Sequence, residues 1–334
     1  MMPSPACHRD IDVLCLGILV ADIVLSGAET PPAPGAIKSV ASLAMITGGC
    51  AANTSVALAR LGLRAAAVGK VGDDGFGSFL LSALAGEGVN TAGITVSRET
   101  ATSAAVAYVY PGGERGFWSF PGANDAVRTD EIDPDLIRST RVLHIAGTPM
   151  LRGFNGEPCA RLMCWARANG IVTSLDTIHH QDGDYHLLVG AELRETDIAL
   201  PSYDEAVKLT GETDPALAAR SLHDYGPRIV AIKLGADGCY VSTGERGEYI
   251  PSFMAAVTDT IGAGDAFVAG FLAGYLRGCD PFACGRWGNA VGAQCVSGVG
   301  ASAGIRGLDY TLNMLGEMPV SESISKHPLT TGRL

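Results

Sequence analysis

The chain has 334 residues, of which 47% are hydrophobic and 18% are charged, and its formal net charge is -11. This length allows one large hydrophobic core with a small appended unit. The acidic balance disfavours nucleic acid as a partner, because backbone phosphates would be repelled unless a basic patch existed, and the 24 Lys and Arg residues are scattered.

Neither a membrane span nor a secretory leader is predicted. No uninterrupted apolar stretch reaches spanning length, and residues 1–10 lack a basic flank followed by an apolar region. The nine cysteines are odd in number and include no Cys-x-x-Cys pair, which favours buried or unreactive thiols over disulfides or a zinc site. We therefore expect a cytoplasmic protein with no membrane partner.

Short apolar runs rich in β-branched residues alternate with amphipathic helical patterns along most of the chain. The predicted strands cover residues 12–17, 65–71, 142–145, 171–176, 198–200 and 229–233. The helical patterns cover residues 79–87, 159–169, 203–210 and 215–225. This alternation predicts an α/β fold with three layers, in which a doubly wound and mostly parallel sheet is covered by helices on both faces.

Two segments interrupt the alternation. Residues 18–46 contain three prolines, and residues 100–120 show the alternating apolar pattern Val106, Tyr108 and Tyr110. Both segments are typical of extra strands separated by turns. They predict a small second sheet beside the main one.

The most informative stretch runs from Asp259 to Asp265 and opens into an apolar helical pattern. Gly262, Ala263 and Gly264 are small enough for the backbone to bend so that consecutive N–H groups face one concavity, with a helix N-terminus behind them. A carboxylate is electrostatically tolerated in the first helical turn, so Asp265 can point at an occupant of this anion site. Such an arrangement suits phosphoryl transfer to an alcohol, although an ordinary helix-entry turn capped by Asp265 is the alternative.

A second motif lies about two hundred residues upstream. Gly48-Gly49-Cys50-Ala51-Ala52-Asn53 leads into a helical pattern that ends at Gly62, and Gly72 follows. Together with the segment 259–270, this motif resembles the two signatures of the ribokinase-like (PfkB-type) carbohydrate kinases. The resemblance extends from about Ile11 to Ile305.

The resemblance implies a ribokinase-like fold with a small β-sheet lid. The α/β kinase core then comprises residues 11–17, 47–99 and 121–316, the lid comprises 18–46 and 100–120, and 1–10 and 317–334 are terminal segments. In this family, such a lid folds over the sugar and often pairs with the lid of a second subunit. We therefore expect a homodimer formed through the lids.

The resemblance also implies roles for the acceptor side. Asp265 corresponds to the general base, and the N–H groups of Gly262, Ala263 and Gly264 correspond to the anion hole. Asp22 corresponds to the residue that binds sugar hydroxyls, with a turn aspartate as the alternative. Gly49 and Asn53 correspond to the acceptor-binding turn, where Asn53 also has the residue type of a helix N-cap.

On the nucleotide side, the resemblance implies ATP as the phosphoryl donor. Glu205 corresponds to the family's glutamate that organises Mg²⁺ and its waters, whereas Ser202 stands where the family has asparagine and reaches less far. The remaining matches to ATP-binding positions are Lys233, Gly235, Gly238 and Asn289. Asp259 and the carbonyl of Ile261 resemble part of a monovalent-cation site, for which K⁺ is the expected ion.

The acceptor itself stays open at this stage. Ribokinases carry Lys and Glu at the positions of Cys50 and Gly147, so this pocket lacks both charges. A sugar, a sugar derivative or a nucleoside is compatible with that pattern. Arg115 lies near the lid and is a candidate for contact with an anionic sugar acid, with a solvated side chain or a lid salt bridge as the alternatives.

Two rivals come from other classes. A catalytically silent sugar-binding protein would need neither Asp265 nor Glu205, and both are present. An acyl hydrolase would use Ser302 within Gly300–Gly304, followed by Asp309 and His327. Only about thirty residues follow Ser302, too few to build the elements that would support such a triad.

Overall fold

The computed structural model describes residues 9–27, 30, 32–109, 115–178 and 185–316, and for Ser26, Val109, Arg115 and Leu187 it describes the backbone alone. The strands in chain order are β1 (Ile11–Gly17), β2 (Val20–Ser26), β3 (Ser42–Gly48), β4 (Ala65–Gly72), β5 (Asn90–Ser97), β6 (Ala104–Val109), β7 (Arg115–Phe120), β8 (Thr140–Ala146), β9 (Val172–Asp176), β10 (Ile198–Ala199), β11 (Ile229–Lys233), β12 (Cys239–Ser242) and β13 (Gly247–Ile250). The α-helices are α1 (Cys50–Arg60), α2 (Gly75–Gly86), α3 (Pro134–Arg138), α4 (Glu157–Ala168), α5 (Tyr185–Arg194), α6 (Tyr203–Thr210), α7 (Pro215–His223), α8 (Ala263–Leu276), α9 (Pro281–Cys295) and α10 (Leu308–Leu315).

The main sheet has nine strands in the order β13-β12-β11-β10-β9-β8-β1-β4-β5. Its strands are parallel except at one edge, where β12 and β13 form an antiparallel hairpin beside β11. β1 lies inside the sheet, between β8 and β4, and is buried along its whole length, as expected for a parallel strand covered on both faces. The predicted doubly wound, mostly parallel sheet is confirmed.

Two separate hydrophobic clusters lie on the two faces of this sheet. One cluster contains buried side chains of α1, α2, α8, α9 and α10. The other contains buried side chains of α3, α4, α5, α6 and α7. The fold therefore has the three layers that the alternating pattern predicts.

The small sheet has four strands in the order β3-β2-β6-β7. β2 and β6 are parallel, and the two outer pairs are antiparallel. Asp22 lies opposite Ile46 on β3 and Ala105 on β6, so these three residues share one face. The domain limits inferred from the resemblance stay a prediction.

The other face of the small sheet is apolar and partly open to solvent. It carries four large side chains with exposed fractions between 42% and 65%, namely Leu43, Met45, Trp118 and Phe120. Trp118 packs edge-on against Tyr108 with ring centroids 5.0 Å apart. Exposed apolar sheet faces of this kind are usually covered by a partner surface.

Within the described ranges, no helix is long and apolar enough to cross a membrane. The eight cysteines that the structure describes are all free thiols. The cytoplasmic location stays a prediction.

Candidate active site

The functional side chains meet where parallel strands end and two helices begin. Asp176 ends β9 and Lys233 ends β11, while Asn53 and Asp265 lie in the first turns of α1 and α8. The carboxyl ends of parallel strands are the usual binding edge of a doubly wound sheet. Glu205 joins this edge from the first turn of α6.

Gly262 turns the chain into α8. It has φ = 73°, and a Cβ atom there would lie 2.5 Å from the Cβ and 2.6 Å from the Cα of Ala301. Only glycine combines this left-handed conformation with so close an approach. Gly264 faces the side chain of Lys233, since a Cβ atom there would lie 3.5 Å from Nζ, at ordinary contact distance.

Gly262 is the N-cap of α8, and the predicted anion hole would use the backbone N–H groups at this turn. The N–H of Ala263 donates back to the carbonyl of Thr260 at 3.3 Å, a length near the limit of a hydrogen bond. One of the three N–H groups assigned to the anion hole therefore already has an acceptor within the turn. A phosphoryl oxygen would compete with this long bond.

Asp265 is buried between α8 and α1, and its Oδ2 accepts a hydrogen bond from the Nδ2 of Asn53 at 2.8 Å. Burial raises the pKa of Asp265 to about 6, although Asn53, Lys233 and Cys50 all act to lower it. A carboxyl group with a pKa near neutrality can be ionised at physiological pH and still accept a proton. These properties match those of a general base.

Asn53 is 94% buried, with an exposed fraction of 6%. Its Oδ1 is buried and lacks a hydrogen-bond partner among the described residues, while its Nδ2 holds Asp265. The N-cap of α1 is Gly49, at φ = 89°, so the N-cap alternative for Asn53 is wrong. An orphaned buried acceptor of this kind is expected where a ligand donor binds.

Asp22 is buried within β2, so the turn alternative for this residue is also wrong. A Cβ atom at Gly48 would lie 2.0 Å from the Oδ2 of Asp22, so a side chain there would displace the Asp22 carboxylate. Ile46, on the same face as Asp22, approaches Gly300 to 3.5 Å from the position of a Cβ atom there. This face of the small sheet is thus turned toward the loop that packs against the start of α8.

A cavity of about 450 Å³ opens beside the start of α8. Its lining residues are Lys233, Gly235, Ala236, Gly238, Ser252, Phe253, Met254, Ala255, Val257, Thr260, Ala263, Gly264, Phe267, Asn289, Gly292, Ala293 and Val296. A mostly apolar wall with a few polar groups at one end is typical of a small-molecule or cofactor site. Four residues that the sequence assigned to ATP line it, namely Lys233, Gly235, Gly238 and Asn289.

Asn289 contributes to the wall in a way the sequence did not indicate. Its Nδ2 donates to the carbonyls of Ile250 at 2.9 Å and Pro251 at 3.1 Å. The amide nitrogen therefore fixes the chain that leaves β13. The loop at Gly238 also packs tightly against the chain that leaves β13, because a Cβ atom at Gly238 would lie 2.1 Å from the carbonyl oxygen of Ile250.

Ser202 and Glu205 form a capping box at the start of α6. The N–H of Ser202 donates to Oε2 of Glu205 at 2.7 Å, and the N–H of Glu205 donates to the Ser202 hydroxyl at 3.4 Å. The Ser202 hydroxyl thus faces the helix terminus. Glu205 is buried and has one oxygen engaged, which fits a role in holding Mg²⁺ through water, since this ion keeps most of its waters and takes few carboxylates.

Lys233 and Asp176 form a buried ion pair, with Nζ 2.6 Å from Oδ1. Burial acts to raise the pKa of the Asp176 carboxyl group, and the ammonium group of Lys233 acts to lower it. Asp176 was missed in the sequence analysis, since nothing in its local pattern distinguishes it from a strand end. It is the main addition that the structure makes to the predicted site.

The candidate cation residues lie in the loop before α8. The carboxylate of Asp259 accepts hydrogen bonds from the N–H groups of Ile261 at 2.8 Å and Gly300 at 2.7 Å. The thiol of Cys295 donates to the carbonyls of Ile261 at 3.4 Å and Ala301 at 3.1 Å. These two carbonyls therefore face the same small region.

Two sequence assignments fall partly outside the described residues. Arg115 begins β7, but its side chain is outside them, and so is the whole of His327. Ser302 and Asp309 are described, and the carbonyl of Ser302 accepts a hydrogen bond from Nη1 of Arg60 at 2.5 Å. Among the described residues, no group of three or more His, Cys, Asp or Glu side chains has the arrangement of a metal site.

Comparison with known proteins finds one family and relatives that are named as sugar kinases. Residues 10–306 match the family model described as pfkB family carbohydrate kinase. An uncharacterized sugar kinase from Archaeoglobus fulgidus is 36% identical over 253 residues, which are 74% of this chain and 97% of that protein. An ATP-dependent ribose-1-phosphate kinase from Halopiger xanaduensis is 31% identical over 293 residues, which are 87% of this chain and 94% of that protein.

The fold is shared with solved structures. The structure of Arabidopsis thaliana ribokinase complexed with ribose and ATP has a TM-score of 0.80 and 24% sequence identity, and the match covers 91% of this chain and 98% of that chain. The large mostly parallel sheet with its smaller companion is thus a known architecture.

Proposed function

Because the chain belongs to the PfkB family of carbohydrate kinases, we propose that it transfers the γ-phosphoryl group of ATP to a hydroxyl group of a sugar or sugar derivative. The observation that carries this proposal is the placement of Asp265. Its carboxylate is buried, held by Asn53 at 2.8 Å, and located in the first turn behind the Gly262–Gly264 bend. It therefore contacts the acceptor residue Asn53, and the adjacent Ala263 and Gly264 line the cavity of about 450 Å³, hereafter called the nucleotide cavity.

In the proposed reaction, Asp265 accepts the proton of the acceptor hydroxyl. The acceptor oxygen forms a bond to the γ-phosphorus as the bond to the bridging oxygen of the ADP leaving group breaks. The N–H groups at Gly262, Ala263 and Gly264 stabilise the charge on the transferring group, as oxyanion-type donors do. Asp22 and the free Oδ1 of Asn53 bind hydroxyl groups of the acceptor.

A nucleoside acceptor is a second candidate, which one feature of the small sheet favours. Beyond Asp22, the same face continues with the small apolar residues Val24, Ala44 and Ala107. This surface suits an apolar or aromatic substituent better than further hydroxyl groups. It continues outward from the residue that binds the sugar hydroxyls.

A panel of acceptors tests the proposal. ADP formation is measured with ATP and Mg²⁺ against sugars, sugar acids and nucleosides, with Asp265→Asn as the blank. We expect acceptor-dependent ADP formation with at least one class. Saturable acceptor binding without ADP formation would instead support the catalytically silent binding protein.

Magnesium is expected to be essential. Glu205 and the substrate phosphates supply the oxygen ligands that Mg²⁺ prefers, so EDTA should abolish transfer. Glu205→Gln should raise the Mg²⁺ concentration needed for half-maximal rate, and Asp204→Asn, at the neighbouring exposed position in the same first turn, is the matched control. Undiminished activity in EDTA would contradict this role.

The pH dependence of kcat/KM should report the ionisation of Asp265. The carboxylate form is the active one, so activity is retained at higher pH and lost as the pH falls through about 6. Asn53→Ala removes a hydrogen bond that lowers the pKa of Asp265. The acidic limb of its profile should therefore move to higher pH, and an unshifted limb would argue against Asp265 as the titrating group.

Two further elements complete the proposal. The exposed apolar face formed by Leu43, Met45, Trp118 and Phe120 is the proposed surface of a homodimer through the lids, which sedimentation would reject if the protein stayed monomeric at all concentrations.

Asp259 and the carbonyl of Ile261 are proposed to hold K⁺. Equal rates in potassium and in a bulky organic cation would reject that site.

A further inference from the structure

The ammonium group of Lys233 lies where the nucleotide cavity meets the start of α8. It lines the cavity and lies beside Gly264, where a Cβ atom would be 3.5 Å from Nζ, an ordinary contact distance. Gly264 belongs to the bend that is proposed to cradle the transferring phosphoryl group. The cation is therefore within reach of the γ-phosphate position.

Three buried carboxylates act on this one ammonium group. They are Asp176, Glu205 and Asp265, with exposed fractions of 3%, 7% and 8%. Burial acts to lower the pKa of Lys233, but the three carboxylates outweigh this and hold the pKa above its ordinary value. Lys233 is therefore charged at neutral pH, and its charge offsets part of the negative charge that an incoming phosphate would meet.

The backbone fixes Lys233 in this place. Its N–H donates to the carbonyl of Pro201 at 2.9 Å, and Lys233 forms an isolated parallel bridge with Ser202. Ser202 is the residue that caps the helix bearing Glu205. The ammonium group and the carboxylate proposed to organise Mg²⁺ are thus held by one connected piece of backbone.

We propose that Lys233 is a catalytic residue whose ammonium group donates a hydrogen bond to the γ-phosphoryl group during transfer, and that Asp176 is a positioning residue that holds this ammonium in place before ATP binds. The proposal deepens the proposed kinase function and rests on it. The resemblance to the family places Lys233 beside the nucleotide. The Asp176 contact and the approach to Gly264 add the identity of the group it serves.

The chemistry requires no change in the protonation of Lys233. Asp265 takes the hydroxyl proton, the acceptor oxygen bonds to the γ-phosphorus, and the bond to the bridging oxygen of the ADP leaving group breaks with its electron pair on that oxygen. Lys233 keeps its three protons and moves one hydrogen bond from Asp176 to a γ-phosphoryl oxygen. Preorganised donors of this kind contribute about 100- to 1,000-fold to kcat.

The test compares Lys233→Met, Lys233→Arg, Asp176→Asn and the double variant Lys233→Met/Asp176→Asn. We expect Lys233→Met to lower kcat by about 100-fold or more and Lys233→Arg to restore part of it. Lys233→Met should weaken binding of a non-hydrolysable ATP analogue by about tenfold, while ADP affinity changes by less than about threefold, because the contact is made to the terminal phosphoryl group. A merely structural lysine would weaken both nucleotides alike.

The double variant addresses folding and coupling together. Lys233→Met leaves a buried carboxylate unpaired, which can destabilise the protein by itself. The double variant has no unpaired charge at this pair, so it should keep a cooperative thermal transition. Its kcat should be no lower than that of Lys233→Met, since Asp176 acts through Lys233 and the two effects are not additive.

Three results would overturn the inference. They are a kcat within about threefold of wild type for Lys233→Met, equal losses of affinity for ADP and the analogue, and fully additive losses in the double variant. These failures differ from failure of the kinase proposal itself. The kinase proposal fails if the wild-type protein forms no ADP with any acceptor. If Lys233→Met is active while Asp265→Asn is inactive, only the inference about Lys233 fails and the kinase proposal is still supported.

Discussion

Asp265→Asn is expected to fold, to bind ATP and to lose about 100- to 10,000-fold of kcat. The asparagine keeps an oxygen that can accept the hydrogen bond from Asn53, so the contact between α1 and α8 survives. It cannot take the proton of the acceptor hydroxyl. Steady-state ADP release and an independent measurement of nucleotide binding check both parts of this expectation.

The matched control is Asp309→Asn, which changes an exposed aspartate in the first turn of α10 and should leave turnover within about twofold of wild type. Ser302→Ala serves the hydrolase alternative in the same assay. Near wild-type turnover in Asp265→Asn, together with abolished activity in Ser302→Ala, would show that the kinase mechanism is wrong.

Gly262→Ala should be nearly as damaging, with a fall in kcat of about 100-fold or more. The new Cβ atom would lie 2.5–2.7 Å from atoms of Ala301, at a φ of 73° that disfavours any side chain. The start of α8 must then move, and the N–H groups and Asp265 move with it. Turnover should fall more than acceptor affinity, because the N–H groups bind charge that develops in the transition state.

Gly278→Ala separates this effect from general strain. Gly278 follows the end of the same helix, has φ = 81°, and has no other atom within 4 Å of a Cβ position. The substitution has a similar conformational cost, on the order of 1–3 kcal/mol, without touching the site. Comparable losses of kcat in both variants would mean that stability, and not the anion site, explains the result.

The structure brings together Asn53 and Asp265, two residues that the sequence assigned to one site, while their roles stay a prediction. Gly262, Asp265 and Asn53 lie in continuous motifs whose glycines the backbone conformation requires. The sequence of such a motif therefore predicts its local backbone conformation. The alternation of apolar strands and amphipathic helices likewise predicted the main parallel sheet. The hairpin β12–β13 was missed, because strands of four residues offer too short a pattern.

Contacts through space were beyond reach from the sequence. Asp176 meets Lys233 because β9, β10 and β11 are adjacent parallel strands that end at one edge, which follows from strand order. Asn289 was assigned to the nucleotide because it matches a family position, yet its amide nitrogen donates hydrogen bonds to two backbone carbonyls. The chemistry of a residue type does not specify the partner that it finds after folding.

The chain connections between the small sheet and the main sheet limit how the small sheet can move, and they affect how it folds. The chain passes between the two sheets four times, at Ile18–Leu19, Gly49, residues 98–103 and Pro121. The side chain of Asn124 fixes the first connection, because its Oδ1 accepts a hydrogen bond from the N–H of Leu19 and its Nδ2 donates one to the carbonyl of Leu19. Four such connections restrict the movement of the small sheet more than a single hinge would. Its central pair, β2 with β6, joins residues some eighty positions apart, and pairings so distant in sequence form slowly during folding.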